Sequence, residues 1–555
     1  MPKISNDSIA DQLKLYSQLM DLHGKDPFKV KSYAGASYRI DKLPTNLSEL
    51  DIPALEKVDG VGKSLASKIH EINETGSFKD LQELLAETPV GVMDMLNIKG
   101  IGPKKVRQIW KELDIESVGE LLYACNENRL SQHKGFGEKT QQTIIEGINF
   151  NASNTGKLHF AKAEKVANEI QLLLEQTNVF ETITISGQLR RKCDVIELFE
   201  WVCIANEDYI ADTLQTLPQL EIEDEQDEYI QFNILGSYPA IIYKCADYNY
   251  DQTLFETTAT PEHLNLMGYT SLTDKEIYEE AVYTNLQLPY IIPEMREGLH
   301  ELEVIKRKSK IIELSDLKGI LHNHSTYSDG QHSLREMAVY CKELGYEYFG
   351  ICDHSKTAVY ASGLEVERVH QQHIEIDQLN KELAPFKIFK GIESDILGDG
   401  SLDYNNDVLA TFDFVVASVH QNLKMIEEKA NARLLKAIEN PYTTILGHPT
   451  GRLLLSRPGY PIDHKLIIDA CAANGVAIEL NAHPYRLDID WRWLYYCMEK
   501  SVPVSINPDA HKKEGFHDMQ YGVYSARKGG LTKDITLNAL SRDEIGKYFI
   551  TKHKV

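Results

Sequence analysis

No stretch of this 555-residue sequence approaches the ~20 consecutive apolar residues that a membrane-spanning helix needs. The opening MPKISNDSIADQL also lacks an apolar signal core. The eight cysteines are scattered and no CxxC occurs, which excludes a zinc ribbon or a disulfide frame; reduced thiols and a cytoplasmic location are expected, with no membrane partner. Positive charge is short too: 59 Lys and Arg face 83 Asp and Glu, a net −24 that disfavours phosphate binding over most of the surface. The deficit is uneven. Residues 1–150 hold 19 basic against 22 acidic side chains, or −3, whereas the remaining 405 hold 40 against 61, or −21. DNA contacts are therefore expected in the first third, through backbone amides as much as basic side chains. One core rarely serves more than ~250–300 residues, so the chain should divide into several domains.

Glycine is placed with purpose in that first third. VDGVGKSLASKI (58–69), IKGIGPKKVRQI (98–109) and HKGFGEKTQQTI (133–144) each carry G-h-G, where h is apolar, ahead of a helix start with basic residues. Gly60 and Gly62, Gly100 and Gly102, and Gly135 and Gly137 would let another backbone approach, leaving the first N–H groups of each new helix free to face an anion. Lys63, Lys104, Lys105 and Lys139 stand where a phosphate held there would be neutralised. Repeated three times, this helix-hairpin-helix pattern points to grip on the DNA backbone without sequence readout.

From Gly319 onward, seven β-rich runs alternate with mostly amphipathic stretches, which predicts a parallel βα barrel of seven units. Six runs end in metal-ligand types: His322 and His324, Asp353 and His354, Glu393, His420, His448, and Asp509 with His511. Barrel strands converge at their C-terminal ends, so these residues should meet in one cup. His483 follows the remaining run and is a further candidate; His370 and His373 read as solvated residues on a surface helix. Imidazole with carboxylate suits Zn, Mn or Fe rather than Mg alone. Such ions polarise phosphates and acidify water, so the expected chemistry is phosphoester hydrolysis.

LHNHSTYSDG, CDHS, KGIESDI, ASVH, LGHPTGR and NPDAH together resemble the PHP (polymerase and histidinol phosphatase) phosphoesterases over roughly 318–540. The resemblance implies three divalent ions. His322, His324 and Asp509 would hold one, and Glu393 would bridge to a second held by His420 and His448. Asp329, His354 and His511 would hold the third. His322, His324, Glu393, His420 and Asp509 are the catalytic candidates.

Three helix-hairpin-helix units ahead of a PHP barrel resemble the bacterial family X DNA polymerases, as do DPFKVKSYAGAS (26–37) and LPYIIPEMREGLHELE (288–303). The resemblance implies four domains: a DNA-end-binding helix-hairpin-helix domain at 1–85, a second one at 86–152, a palm and thumb at 153–310, and the PHP barrel at 318–555. The fold class is then multidomain: an all-α start, an α+β nucleotidyltransferase-like palm and a distorted (βα)7 barrel. Lys68 matches the family's Schiff-base lysine, and it is equally a phosphate contact.

The palm departs from the family. Polymerisation needs three carboxylates on adjacent strands to hold two ions. Aligned through GQLRR, the triphosphate-binding serine is Gln188, the first two carboxylates are Leu198 and Glu200, and the third, in FNIL, is Asn233. Arg190 and Arg191 keep the places of phosphate-facing arginines. Asp194, Glu197 and Glu200 are spaced by three and cannot share one face of a strand. A monomeric repair phosphoesterase acting on gapped, nicked or abasic DNA is expected, as a 3′→5′ exonuclease or abasic-site endonuclease. A gap-filling polymerase with a rearranged metal site and a non-catalytic DNA-end binder are the alternatives.

Overall fold

The computed structural model describes residues 4–552 except 44, 59, 127–129, 132, 206–209 and 270–277. The chain forms two compact units, Met1–Thr155 and Gly156–Val555.

The first unit is helical. Each G-h-G hairpin is built the same way: Gly60, Gly100 and Gly135 take φ of 77°, 99° and 99°, which an L side chain rarely adopts. Gly62, Gly102 and Gly137 then cap helices Lys63–Thr75, Pro103–Leu113 and Glu138–Asn154 with no side-chain hydrogen bond. The apolar residue between each pair, Val61, Ile101 or Phe136, is buried and anchors its turn. Residues on both sides of position 85, from Ile9 to Ile148, join one apolar cluster.

The second unit opens with a five-stranded sheet: β1 (Phe180–Ile185), β2 (Phe199–Ala205), β3 (Leu220–Glu225), β4 (Tyr229–Ile234) and β5 (Tyr238–Lys244). The spatial order is β1-β2-β5-β4-β3, with only the β2–β5 pair parallel. Helix Phe160–Gln176 covers the face that carries Phe199, Trp201 and Cys203.

The barrel follows, with β6 (Gly319–Ile320), β7 (Tyr348–Ile351), β8 (Lys387–Asp395), β9 (Phe414–Ser418), β10 (Ile445–Leu446), β11 (Ala477–Asn481) and β12 (Val504–Asn507). All neighbouring pairs are parallel and in sequence order, and a bridge between Asn323 and Ala510 brings the two edges together. The nearly closed seven-strand barrel is the one expected, and each β-rich run supplies one strand. These strands are rich in apolar residues because both faces are buried. Val415 and Ala417 pack outward on helices, whereas Phe414 and Val416 point inward, where Phe549 of helix Arg542–Lys552 stacks on Phe414 at 4.9 Å. The same period of two points Glu393 and Glu479 into the barrel. No helix of the described residues is long and apolar enough to cross a membrane.

Candidate metal centre and nucleic-acid surface

Three ligand candidates sit just past their strands with positive φ: His322 (54°), His448 (21°) and Asp509 (52°). Non-glycine residues hold this conformation at a cost, and here the bend turns each side chain towards the barrel axis. Glu393 lies at the centre, almost fully buried. Its Oε1 is 3.1 Å from Nε2 of both His420 and His448 and 3.2 Å from Nε2 of His322, while its Oε2 is 2.9 Å from Nδ1 of His354. Asp509 Oδ1 is 3.0 Å from His324 Nε2 and 3.6 Å from His322 Nε2; Asp329 Oδ1 is 3.3 Å from His511 Nε2 and 3.6 Å from His354 Nε2.

Three groups have donor atoms within 4.8 Å of one another: His322, His324 and Asp509; His354, Glu393 and His420; and His324, Asp329, His354 and His511. Eight of the nine implied ligands fall in these groups, and the ninth, His448, joins the same cup through its contact with Glu393. The grouping is more shared than the resemblance implied, because His324 and His354 each belong to two sets. The donors suit cations. His322 Nε2, His354 Nδ1 and Glu393 Oε2 are buried near opposite charge, yet none makes a hydrogen bond among the described residues. Buried donors this close to one another without hydrogen bonds are a set that a bound cation would satisfy.

Electrostatics agree. Burial alone would lower His420, but Glu393 and Asp395 outweigh it and raise its pKa to about 10. Burial likewise opposes, and Asp329 and Asp509 raise, His511 to about 9. His324 is lowered to about 3 by burial and by the neighbouring His511 and His354. Burial would raise Glu393 and Asp509, but the imidazoles hold both well below the usual carboxylate range. The cup therefore calls for concentrated positive charge.

Two carboxylates that the sequence did not single out brace this set. Glu479 Oε1 takes His322 Nδ1 at 2.6 Å and Asn507 Nδ2 at 2.9 Å, and its Oε2 accepts the His448 amide at 2.7 Å. Asp395 Oδ1 meets His420 Nδ1 at 2.5 Å. Partners of this kind fix the ring orientation of ligating histidines. Asp353 instead takes the amide and hydroxyl of Ser325, the hydroxyl of Ser328 and the Gln372 amide, so it shapes the ligand loop. His483 belongs to none of the three groups. The solvated placement of His373 is wrong: it is buried, with its ring edge-on to Phe412 at 5.0 Å, and only His370 is exposed.

In the helical unit all six hairpin glycines are exposed, as are Lys63, Lys104 and Lys139, while Lys105 is half-buried with its ammonium 5.8 Å from the Phe136 ring. Lys68 is different. It pairs with Asp80 and lies over the rings of Phe78 and Tyr16, in a cleft of about 750 Å³ that Lys25, Lys29 and Lys63 also line.

The five-stranded sheet brings positions 200 and 233 to one face, and Leu198 immediately precedes β2. Asn233 pairs with Pro239, and Glu200 pairs with Ile241, two residues on. Their chemistry is not that of a metal clamp. Gln188 Oε1 accepts the amides of Glu197 and Leu198, and Asn233 donates to Glu223. Glu200 is buried, desolvation raises its pKa, and its carboxylate occupies the space where any Cβ on Gly187 would lie. Asp194 pairs with Arg452 and Glu197 with Lys157, so the three acids of this segment point to three different places.

The two arginines do not face outward to phosphate. Arg190 makes a forked pair with Glu279 at 2.7 and 2.9 Å, and Arg191 bonds to Glu297 at 3.0 Å and to the Thr258 carbonyl at 2.7 Å. Lys528 of the barrel also pairs with Glu297, and buried Arg296 with Glu279, so the turn serves as a joint. Burial would raise Glu279, but Arg190 and Arg296 lower it to about 2. The native state thus keeps Glu279 ionised where the unfolded chain takes up a proton. Its stabilisation is complete above the unfolded value near 4.5 and is lost as pH falls towards about 2. Glu279→Ala should cost about 3–5 kcal/mol at neutral pH in urea denaturation, with the gap to wild type narrowing in acid.

A helical unit with three exposed glycine hairpins, a mixed sheet, and a parallel barrel with a cup of histidines and carboxylates that could hold metal define a multidomain enzyme of phosphate chemistry. Comparisons agree with each part. Family models match for a helix-hairpin-helix domain at residues 4–78, a SAM-like helix-hairpin-helix tandem at 92–149 and a PHP domain at 321–483. The DNA polymerase/3′-5′ exonuclease PolX of Bacillus subtilis (strain 168) is 33% identical over 96% of this chain and 97% of that protein. A probable phosphatase of Syntrophotalea carbinolica is 27% identical over 39% of this chain, covering 90% of its own length. The chain belongs to the bacterial family X DNA polymerases that carry a C-terminal PHP domain.

Proposed function

We propose that this protein is a DNA-repair phosphoesterase. The helical unit holds gapped, nicked or abasic DNA, the barrel cleaves phosphodiesters as a 3′→5′ exonuclease or abasic-site endonuclease, and the palm no longer polymerises. The observation that carries this is the contrast between two candidate centres in one chain. The barrel gathers eight further candidate donor residues with buried Glu393, several with unsatisfied lone pairs. The palm offers Leu198, Asn233 and a Glu200 turned onto Gly187.

Three divalent ions of the Mn, Zn or Fe type fit the barrel donors, and when bound they would supply phosphate polarisation and an acidified water. The chain's own part is orientation. Glu393 is the anion shared by the sets, Asp509 and Asp329 close the two flanks, and Glu479 and Asp395 keep His322 and His420 aimed inward. The exposed hairpin amides and lysines hold the DNA backbone. A monomer in the cytoplasm suffices for this division of labour.

The test is a panel of 3′-labelled single-stranded, gapped and abasic DNA with Mn²⁺, Zn²⁺ and Fe²⁺ in turn. Shortening or nicking with at least one metal is expected, together with a fall of about 10³-fold in the doubly substituted His322→Ala, His324→Ala protein. Equal rates in the two proteins would remove the chemistry from the barrel. Tight binding without turnover under every metal would leave a DNA-end-binding protein.

A further inference from the structure

The ligand set leaves two tyrosines at the barrel mouth without a task. Tyr360 lies in the short turn Val359–Ala361, after β7. Its residue is 62% exposed, yet its ring centroid is 6.1 Å from that of His354. That contact with a candidate ligand places the ring at the lip of the cup. Val359 beside it is 81% exposed. An apolar pair held open to water at the lip of a carboxylate-rich cavity has no packing purpose.

Tyr485 stands on the loop after β11, 37% exposed, with His159 of the palm 4.2 Å away ring to ring and the Lys162 ammonium 5.5 Å from its centroid. The next residue, Arg486, directs Nε to Asp509 Oδ2 at 3.7 Å. Among the described residues, no other lysine or arginine is within ion-pair distance of a ligand candidate. β7 and β11 are second and sixth of seven strands, three steps apart one way and four the other, so the two loops face each other across the cup.

The cup walls are anionic, so an approaching phosphate chain needs attraction that is not general positive charge. Stacking of a base on an aromatic ring supplies it irrespective of sign, and a guanidinium matches a phosphate by paired hydrogen bonds. We propose that Tyr360 and Arg486 form a nucleotide clamp for an unpaired 3′-terminal nucleotide: Tyr360 stacks on the base and Arg486 donates to a non-bridging oxygen of the adjoining phosphodiester. Tyr485, braced by the palm, walls the opposite side. The clamp rests on the barrel being a DNA phosphoesterase, and it names the substrate as a single-stranded 3′ end. A paired terminus has its base already stacked and hydrogen-bonded, and a small phosphomonoester has none to offer.

Photocross-linking with the full-length protein tests the contact directly. An oligonucleotide carrying 5-iododeoxyuridine at its 3′ terminus should form an adduct on the tryptic peptide 357–368, lost in Tyr360→Ala and kept in Tyr360→Phe. In kinetics with Mn²⁺, Tyr360→Ala should raise KM for a single-stranded oligonucleotide about tenfold. It should leave KM unchanged when the terminal nucleotide is an abasic analogue, because the base it would have stacked is already gone. Arg486→Ala should raise KM on both substrates. Wild-type protein that cross-links at 357–368 but cleaves no DNA would keep the clamp and sink the phosphoesterase. Cleavage with equal KM in Tyr360→Ala, and adducts elsewhere, would sink the clamp alone.

Discussion

Glu393→Gln is expected to lower phosphodiester cleavage by about 10³-fold or more and to strip metal from the barrel, read together as 3′-end digestion and bound metal per chain. The change is nearly isosteric, so it leaves the packing of β8 intact and removes only charge. That charge is shared by four imidazoles at 2.9–3.2 Å: His322, His354, His420 and His448. A neutral amide presents one acceptor and one donor where two anionic oxygens stood, and its N–H₂ would point at donors that also need a cation. A loss of about 10³ corresponds to about 4 kcal/mol, in the range attributed to ions that stabilise charge in a transition state. The imidazoles hold the Glu393 pKa well below its usual range against the effect of burial, so the cup prefers an anion there. Full metal content with more than a tenth of wild-type rate would show that the ions lie elsewhere.

The barrel was legible because its candidate ligands lie at or near strand ends, and a β-rich run ending in His or Asp can be recognised without a structure. Glu479 was harder. It sits inside GVAIELNAH rather than at its end, flanked by Ile478 and Leu480. The signal was nonetheless present: a charged residue in a strand buried on both faces must be paired or ligating, and Ala477, Glu479 and Asn481 share the inward parity. His373 was misplaced for a related reason. Spacing along one helix cannot show that Phe412, from another segment, covers its ring.

The palm was legible as position but not as state. Alignment through GQLRR assigned 188, 198, 200 and 233 to the palm site, and it assigned Arg190 and Arg191 to phosphate. Their actual partners, Glu279 and Glu297, lie 89 and 106 residues downstream. Only tertiary structure pairs residues so remote, and the pairing makes this turn a joint between the sheet and the barrel.

That joint sets the second large effect. Offered gapped DNA, all four dNTPs and Mg²⁺ or Mn²⁺, the wild-type protein is expected to incorporate no nucleotide. Two of three anionic ligands are absent at 198 and 233; at several kcal/mol for each ion left unheld, the deficit amounts to about 10⁵-fold or more. Restoring them in Leu198→Asp, Glu200→Asp, Asn233→Asp should still give no extension. Aspartates at 200 and 233 would share one face by the β2–β5–β4 register, and the one at 198 would stand directly before β2. The lack of extension would follow from the phosphate side of the site: Gln188 bonded to the amides of 197 and 198, Arg190 held by Glu279, and Arg191 held by Glu297, itself shared with Lys528. Freeing those arginines means breaking buried ion pairs, which also weakens the junction with the barrel. Extension by the wild type that disappears in Glu200→Ala would establish a rearranged but working polymerase. Extension by the triple aspartate variant alone would show instead that carboxylates were the only missing part and that the arginine pairs open when a triphosphate arrives.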